Sequence, residues 1–196
     1  MYHPSAALIV VAAVLQFPRC RASCLSRSPA ANACTLGGSL ALTSVPGNLP
    51  VNSGRCNSVY DKEAFQRQPR VRYPEAEAGE VYTLVMLDPD APGRRQGQYY
   101  LHWILANIRG EDFKQGDLSK STEITSYLGP APPEDTGLHR YMFYVYRHQR
   151  AARRLSATVG DPERQFFTLR DWLRGNVRSG VRLCGVLSGV QFRSGF

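Results

Sequence analysis

The sequence predicts a mainly β protein, and three observations carry that expectation. Val81–Leu87 is an unbroken run of apolar and β-forming residues, the composition that a central strand buried on both faces demands. His102–Ile108 and Tyr141–Tyr146 repeat it. Helical signals are short and confined to the last third of the chain. Separated strands of this kind close into a sandwich or a barrel.

The elements follow in order. Ala6–Leu15 is a run of ten apolar residues at the start of the chain, too short to cross a bilayer and the right length for the core of a secretion signal. Small residues at Ala22 and Ser23 place cleavage near residues 22–24. The chain therefore divides into a signal peptide (1–22), a flexible arm rich in Ser, Ala, Pro and Asn (23–38), and one domain (39–196). Within the domain, Leu40–Leu42 and Val71–Tyr73 read as short strands ahead of the three long ones. Asp161-Pro162-Glu163 offers a helix start with proline at the first position. Thr168–Arg174 reads as a better short helix, with Thr168 as cap, Asp171 three residues on, and Gly175-Asn176 as its stop.

A chain of 196 residues, 43% hydrophobic and 20% charged, suits a single globular domain with a real core. Five cysteines are present; removal of Cys20 with the signal leaves Cys24, Cys34, Cys56 and Cys184, an even number that suits two disulfides in an exported protein. Cys34–Cys56 is the favoured pair because both lie in one N-terminal stretch, and Cys24–Cys184 then follows by elimination. No C-x-x-C pair points to a metal. The formal charge of +8 falls to +6 without Arg19 and Arg21. A basic surface favours anionic partners such as phospholipid or a sulfated glycan, and scattered charge that serves only solubility fits equally. The Arg147–Arg154 cluster has no interleaved aromatics, which argues against nucleic acid.

The chemistry-bearing residues stand at the ends of the predicted strands. Val81–Leu87 runs directly into Asp88-Pro89-Asp90-Ala91-Pro92-Gly93, in which each proline holds the residue before it out of the helical region. Tyr100 and His102 share one face of the next strand. Gly129-Pro130-Ala131-Pro132-Pro133 forms a stiff loop, and His139-Arg140-Tyr141 opens the strand after it. Taken alone, Asp-Pro-Asp is an ordinary turn and a strand histidine an ordinary core residue. Their combination is not ordinary.

Together these stretches, with Arg94, His102-Trp103 and Gly137-Leu138-His139-Arg140-Tyr141, closely resemble the phosphatidylethanolamine-binding protein family in order and spacing over roughly residues 40–192. The resemblance implies a large central β-sheet flanked by a smaller sheet, with one or two short helices. It also implies a compact pocket for phosphate or a phospholipid head-group, and no enzymatic activity or cofactor. Carried over by position, the pocket takes in Asp88, Asp90, Ala91, Pro92, Tyr100, His102, Gly129, Ala131, His139 and Tyr141, with Arg140 bracing the acidic residues. Ala131 stands where the family commonly has glycine, and Tyr100 where it has an aromatic, often tryptophan. Many members continue into a C-terminal helix over the pocket mouth; without it a more open site is expected. The aspartates are expected to raise the imidazole pKa values, so that charged histidines bind the anion more tightly at mildly acidic pH.

Paired Asp and His side chains also suit hydrolysis or zinc, but no G-x-S-x-G nucleophile motif accompanies them. The family includes binders of kinases and proteases, so an inhibitor acting through surface loops is the alternative function. The expected protein is a secreted monomer whose surface also fits peripheral contact with a membrane.

Overall fold

The computed structural model describes residues 31–149, 154–156, 158–178 and 180–196. The expected signal peptide and Cys24 lie outside them. Five long antiparallel strands form the main sheet: β4 (Val81–Asp88), β5 (Tyr100–Arg109), β6 (Thr122–Thr125), β7 (His139–His148) and β8 (Leu183–Ser194), in the order β6-β5-β4-β7-β8. A small antiparallel sheet, ordered β2-β1-β3, is built from β1 (Ala41–Thr43), β2 (Pro50–Val51) and β3 (Arg70–Arg72).

The unbroken apolar runs have a direct cause. The inner strands β4, β5 and β7 are buried on both faces, so along most of their length neither face meets water. Leu84 and Met86 of β4, Trp103 of β5, and Tyr141, Phe143 and Val145 of β7 face Leu40, Leu42 and Val71 in one core. The opposite face, including Val85, Leu87, Leu101, Met142 and Tyr144, packs beneath Leu169 and Leu173 of helix α3 (Leu169–Arg178) in a second core, and a register shift of β5 against β4 lets Leu101 and Trp103 serve different faces. Each fully buried side chain of this size contributes about 2 kcal/mol of transfer free energy. With layers on both sides of the sheet, a polar residue within β4 needs a partner of its own, and Thr83 has one in His148, 2.8 Å from its hydroxyl.

Among the described residues the α-helices are three and short: α1 (Gly110–Gln115), α2 (Asp161–Arg164) and α3. The start of α2 has proline within its first turn, as its sequence predicts. Helix α3 does not stop at Gly175-Asn176; it continues to Arg178. Glycine costs a helix interior only about 1 kcal/mol, and Asn176 is buried with its carbonyl accepting from Val181 N, so packing carries the helix through. Helix α1 and strands β2 and β6 have no counterpart among the elements expected from sequence, because two to six mixed residues present no usable period.

Residues 31–38 of the expected arm are packed against β8. Ala33 is fully buried and its N–H donates to Gln191 Oε1. Cys34 and Cys56 form a disulfide across 22 residues, and Cys184 is also disulfide-bonded. No helix among the described residues is long and apolar enough to cross a membrane.

Candidate functional site

Register brings the strand ends together. Asp88 closes β4 opposite Tyr100, the first residue of β5, and β7 pairs along the other edge of β4 from Leu87–Met142 onward. The 88–94 turn, the start of β5, the 127–133 loop and the start of β7 therefore meet at one end of the sheet.

The two aspartates are committed within the protein. Asp88 Oδ1 accepts from the backbone N–H groups of Asp90 (2.7 Å) and Ala91 (3.1 Å), which folds the Pro-bent turn over the carboxylate. Its Oδ2 stands 2.8 Å from His139 Nδ1. The other ring nitrogen of His139 lies 2.9 Å from the Thr136 hydroxyl, which itself donates to Pro133 O. Both nitrogens of this buried imidazole are thus occupied. Burial raises the Asp88 pKa above the ordinary carboxylate value, against the pull of His139 and the Asp90 amide. Asp90 grips Arg140 instead: Oδ2 accepts from its backbone N (2.9 Å) and Nε (2.8 Å), and Oδ1 from Nη2 (2.6 Å). Partial burial opposes ionisation of Asp90, but these bonds outweigh it and hold the carboxyl below its usual range. Arg140 reaches on to Ala31 O (2.8 Å).

His102 is placed differently. Only 4% exposed, it sits between the rings of Tyr100 and Tyr141, with centroids 5.0 and 5.1 Å away. Its Nδ1 lies 2.8 Å from Leu128 O. Its Nε2 has no partner among the described residues and is not sealed off. Burial, reinforced by the charges of Arg164 and Arg94, lowers its pKa to about 4. The expectation of a raised imidazole pKa is therefore wrong for this histidine. The carboxylates lie against His139 and Arg140, and the charges nearest His102 are cationic. Tyr141 is buried, and its hydroxyl has no hydrogen-bond partner; burial foremost, then Asp88, raises its pKa, with the nearby Ala131 amide acting the other way.

The remaining positions frame this space. A Cβ on Gly129 would lie 2.8 Å from Gln66 Cα and 2.9 Å from Phe65 O, so the loop passes where only glycine fits. Ala131 does not adopt a left-handed backbone, so no glycine is required there. Ala91 has spent its N–H on Asp88, and Pro92 is exposed, its carbonyl accepting from Arg94 Nη1.

Three residues of the site lie beyond the predicted set. The Arg94 guanidinium lies over Tyr100 and Phe166, 5.2 and 5.7 Å from their centroids, with its Nε buried and unbonded. Thr136 anchors His139. Arg164, 4% exposed, donates to the carbonyls of Leu101 and His102 (3.2 Å each) and to Ser126, tying α2 behind the His102 backbone. Arg94 lies inside a motif stretch and was legible there, whereas Thr136 stands one residue before the Gly137–Tyr141 stretch. Nothing local marked Arg164 as part of the site, since the partners that tie it there, Leu101, His102 and Ser126, are 63, 62 and 38 residues away in sequence.

The family model for phosphatidylethanolamine-binding proteins matches residues 44–185. Among solved structures, the chain is similar to a carboxypeptidase Y inhibitor determined in complex with its cognate proteinase. That match has 19% identity and a TM-score of 0.59, and covers 81% of this chain and 83% of the inhibitor. It is also similar to a phosphatidylethanolamine-binding protein from Plasmodium vivax, at 18% identity and a TM-score of 0.56, covering 81% and 86%. The counterpart from Plasmodium falciparum matches at 20% identity and a TM-score of 0.54, covering 80% and 84%. At these identities the likeness is one of fold.

Proposed function

The chain belongs to the phosphatidylethanolamine-binding protein family, and from that premise we propose that it is a secreted, non-enzymatic binding protein that holds a phosphate or phospholipid head-group between Tyr100, His102, the 129–131 loop and Tyr141. One observation carries this reading. In a site where both aspartates, His139 and Arg140 are bonded to one another, Tyr141 Oη and His102 Nε2 are left without partners on adjoining rings. A buried hydroxyl without a partner costs about 1–3 kcal/mol, which a bound anion returns. Arg94 supplies a cation at the rim. Export is supported by the apolar run Ala6–Leu15 and by the disulfides at Cys34–Cys56 and Cys184.

Calorimetric titration with phosphoethanolamine tests this. Tyr141→Phe, which keeps the ring stacked on Phe192, is expected to weaken binding roughly ten- to a hundredfold, the worth of a hydrogen bond to a charged group. Unchanged affinity would contradict the assignment. A second reading, inhibition of a protease through surface loops, is motivated by the inhibitor of similar fold. Loss of the activity in Asp90→Ala and His139→Ala would assign it to the pocket; its survival in both would assign it to the surface.

A further inference from the structure

The hydrogen-bonding capacity of His102 and Tyr141 is more selective than a pocket for anions in general. Leu128 O only accepts, so the 2.8 Å contact requires that His102 Nδ1 carry the hydrogen. The contact is fixed from both sides, because Leu128 N donates to His102 O at 2.9 Å. A neutral imidazole protonated at Nδ1 presents a bare lone pair at Nε2. A second proton there would be held in a buried ring with the Arg164 guanidinium bonded to the same residue's backbone. The ring of Tyr141 meets that of His102 edge to face, with centroids 5.1 Å apart, and its hydroxyl, which finds no acceptor, has a hydrogen to donate. The pair therefore offers one acceptor and one donor. A phosphate oxygen without hydrogen satisfies Tyr141 but sets lone pair against lone pair at His102. A phosphate carrying P–OH beside P–O⁻ satisfies both.

We infer that this pocket selects protonated phosphate groups, meaning monoesters and inorganic phosphate in their P–OH form, over phosphodiesters such as the head-group of an intact phospholipid. The inference rests on the anion-binding reading above and narrows its ligand class. Tighter binding in mild acid is retained, but its cause moves from the histidines to the ligand. The titratable and charged groups around His102 are Asp88, Asp90, His139, Arg94, Arg140 and Arg164. A diester, anionic at every pH used, reports their effect separately.

The test is calorimetry on the full chain with methyl phosphate, dimethyl phosphate and glycerophosphoethanolamine between pH 5.5 and 7.5. At pH 5.5 the first two carry nearly the same charge and differ by a proton against a methyl group. Methyl phosphate is expected to bind at least tenfold more tightly than either diester at pH 5.5. Its affinity is then expected to fall about 25-fold by pH 7.5, following loss of the ligand proton with a pKa near 6, while the diesters stay flat. His102→Gln, whose amide can donate, is expected to flatten the methyl phosphate profile. Equal binding of diester and monoester, or monoester affinity that rises with pH, overturns the inference and leaves anion binding standing. Glycerophosphoethanolamine binding as tightly as methyl phosphate would overturn it too, by giving Nε2 an ammonium partner instead. No binding by any of the three overturns both readings.

Discussion

His102 and His139 stand at similar strand ends in the sequence, and nothing in their spacing separates them. The structure divides their work. His139 is a tie between Asp88 and Thr136, and His102 keeps one nitrogen free. Its partner Leu128 lies 26 residues away, and Asp88 lies 51 residues from His139, so the division was not legible locally. Two consequences follow at this scale. Asp88→Ala leaves two backbone amides and a buried imidazole without their acceptor, and is expected to lower unfolding stability by about 3–5 kcal/mol in a denaturant titration. His102 links stability to pH. Its folded pKa of about 4 lies below the ordinary histidine value, so the unfolded chain binds the extra proton between pH 6.5 and 4. Stability is therefore full above about pH 6.5 and is lost as pH falls, by up to about 3 kcal/mol from this group. The raised Asp88 pKa acts in the opposite sense at the lower end of that window. His102→Gln should remove the 6.5-to-4 component from a pH series of unfolding midpoints; an unchanged slope would refute it.

Short elements were legible where a cap or a proline marks them and opaque where packing decides. Helix α3 shows both: it begins directly after Thr168, whose backbone carbonyl accepts from Asp171 and Trp172, where the sequence places its start, but the glycine-asparagine stop is overridden. A methyl group added at Gly175 would meet no atom within 4 Å, and the backbone there is not left-handed. Gly175→Ala is therefore expected to raise stability by about 0.5–1 kcal/mol in thermal or urea unfolding; destabilisation would mean that the helix does end there. Gly129 is the reverse case. Gly129→Ala meets Gln66 and Phe65 backbone, and is expected to cost about 1–3 kcal/mol and to displace the loop that carries Leu128 O, weakening ligand binding as well. The Cys34–Cys56 link closes 22 residues, and its replacement by two serines should cost about 3 kcal/mol on the chain-entropy account.

At the scale of the molecule, the long strands were read correctly because burial on both faces writes itself into composition: β4, β5 and β7 each feed two cores at once. Two strands of the smaller sheet, β1 and β3, fall where Leu40–Leu42 and Val71–Tyr73 read as strands, but their assembly into a second sheet was expected only through family resemblance. Its strands of two and three residues are held by pairing with one another rather than by a pattern of their own. The same architecture explains where the site is. The mostly apolar long strands present Asp88, His102 and His139 near one end of the sheet, and the loops there complete the pocket. The most direct check of that placement is a backbone-amide NMR titration of the protein with phosphoethanolamine at pH 5.5. Saturable shifts confined to residues 88–94, 100–103, 128–131 and 139–141 are expected, and their loss in Tyr141→Phe. Shifts centred elsewhere, or none at saturating ligand, would contradict it.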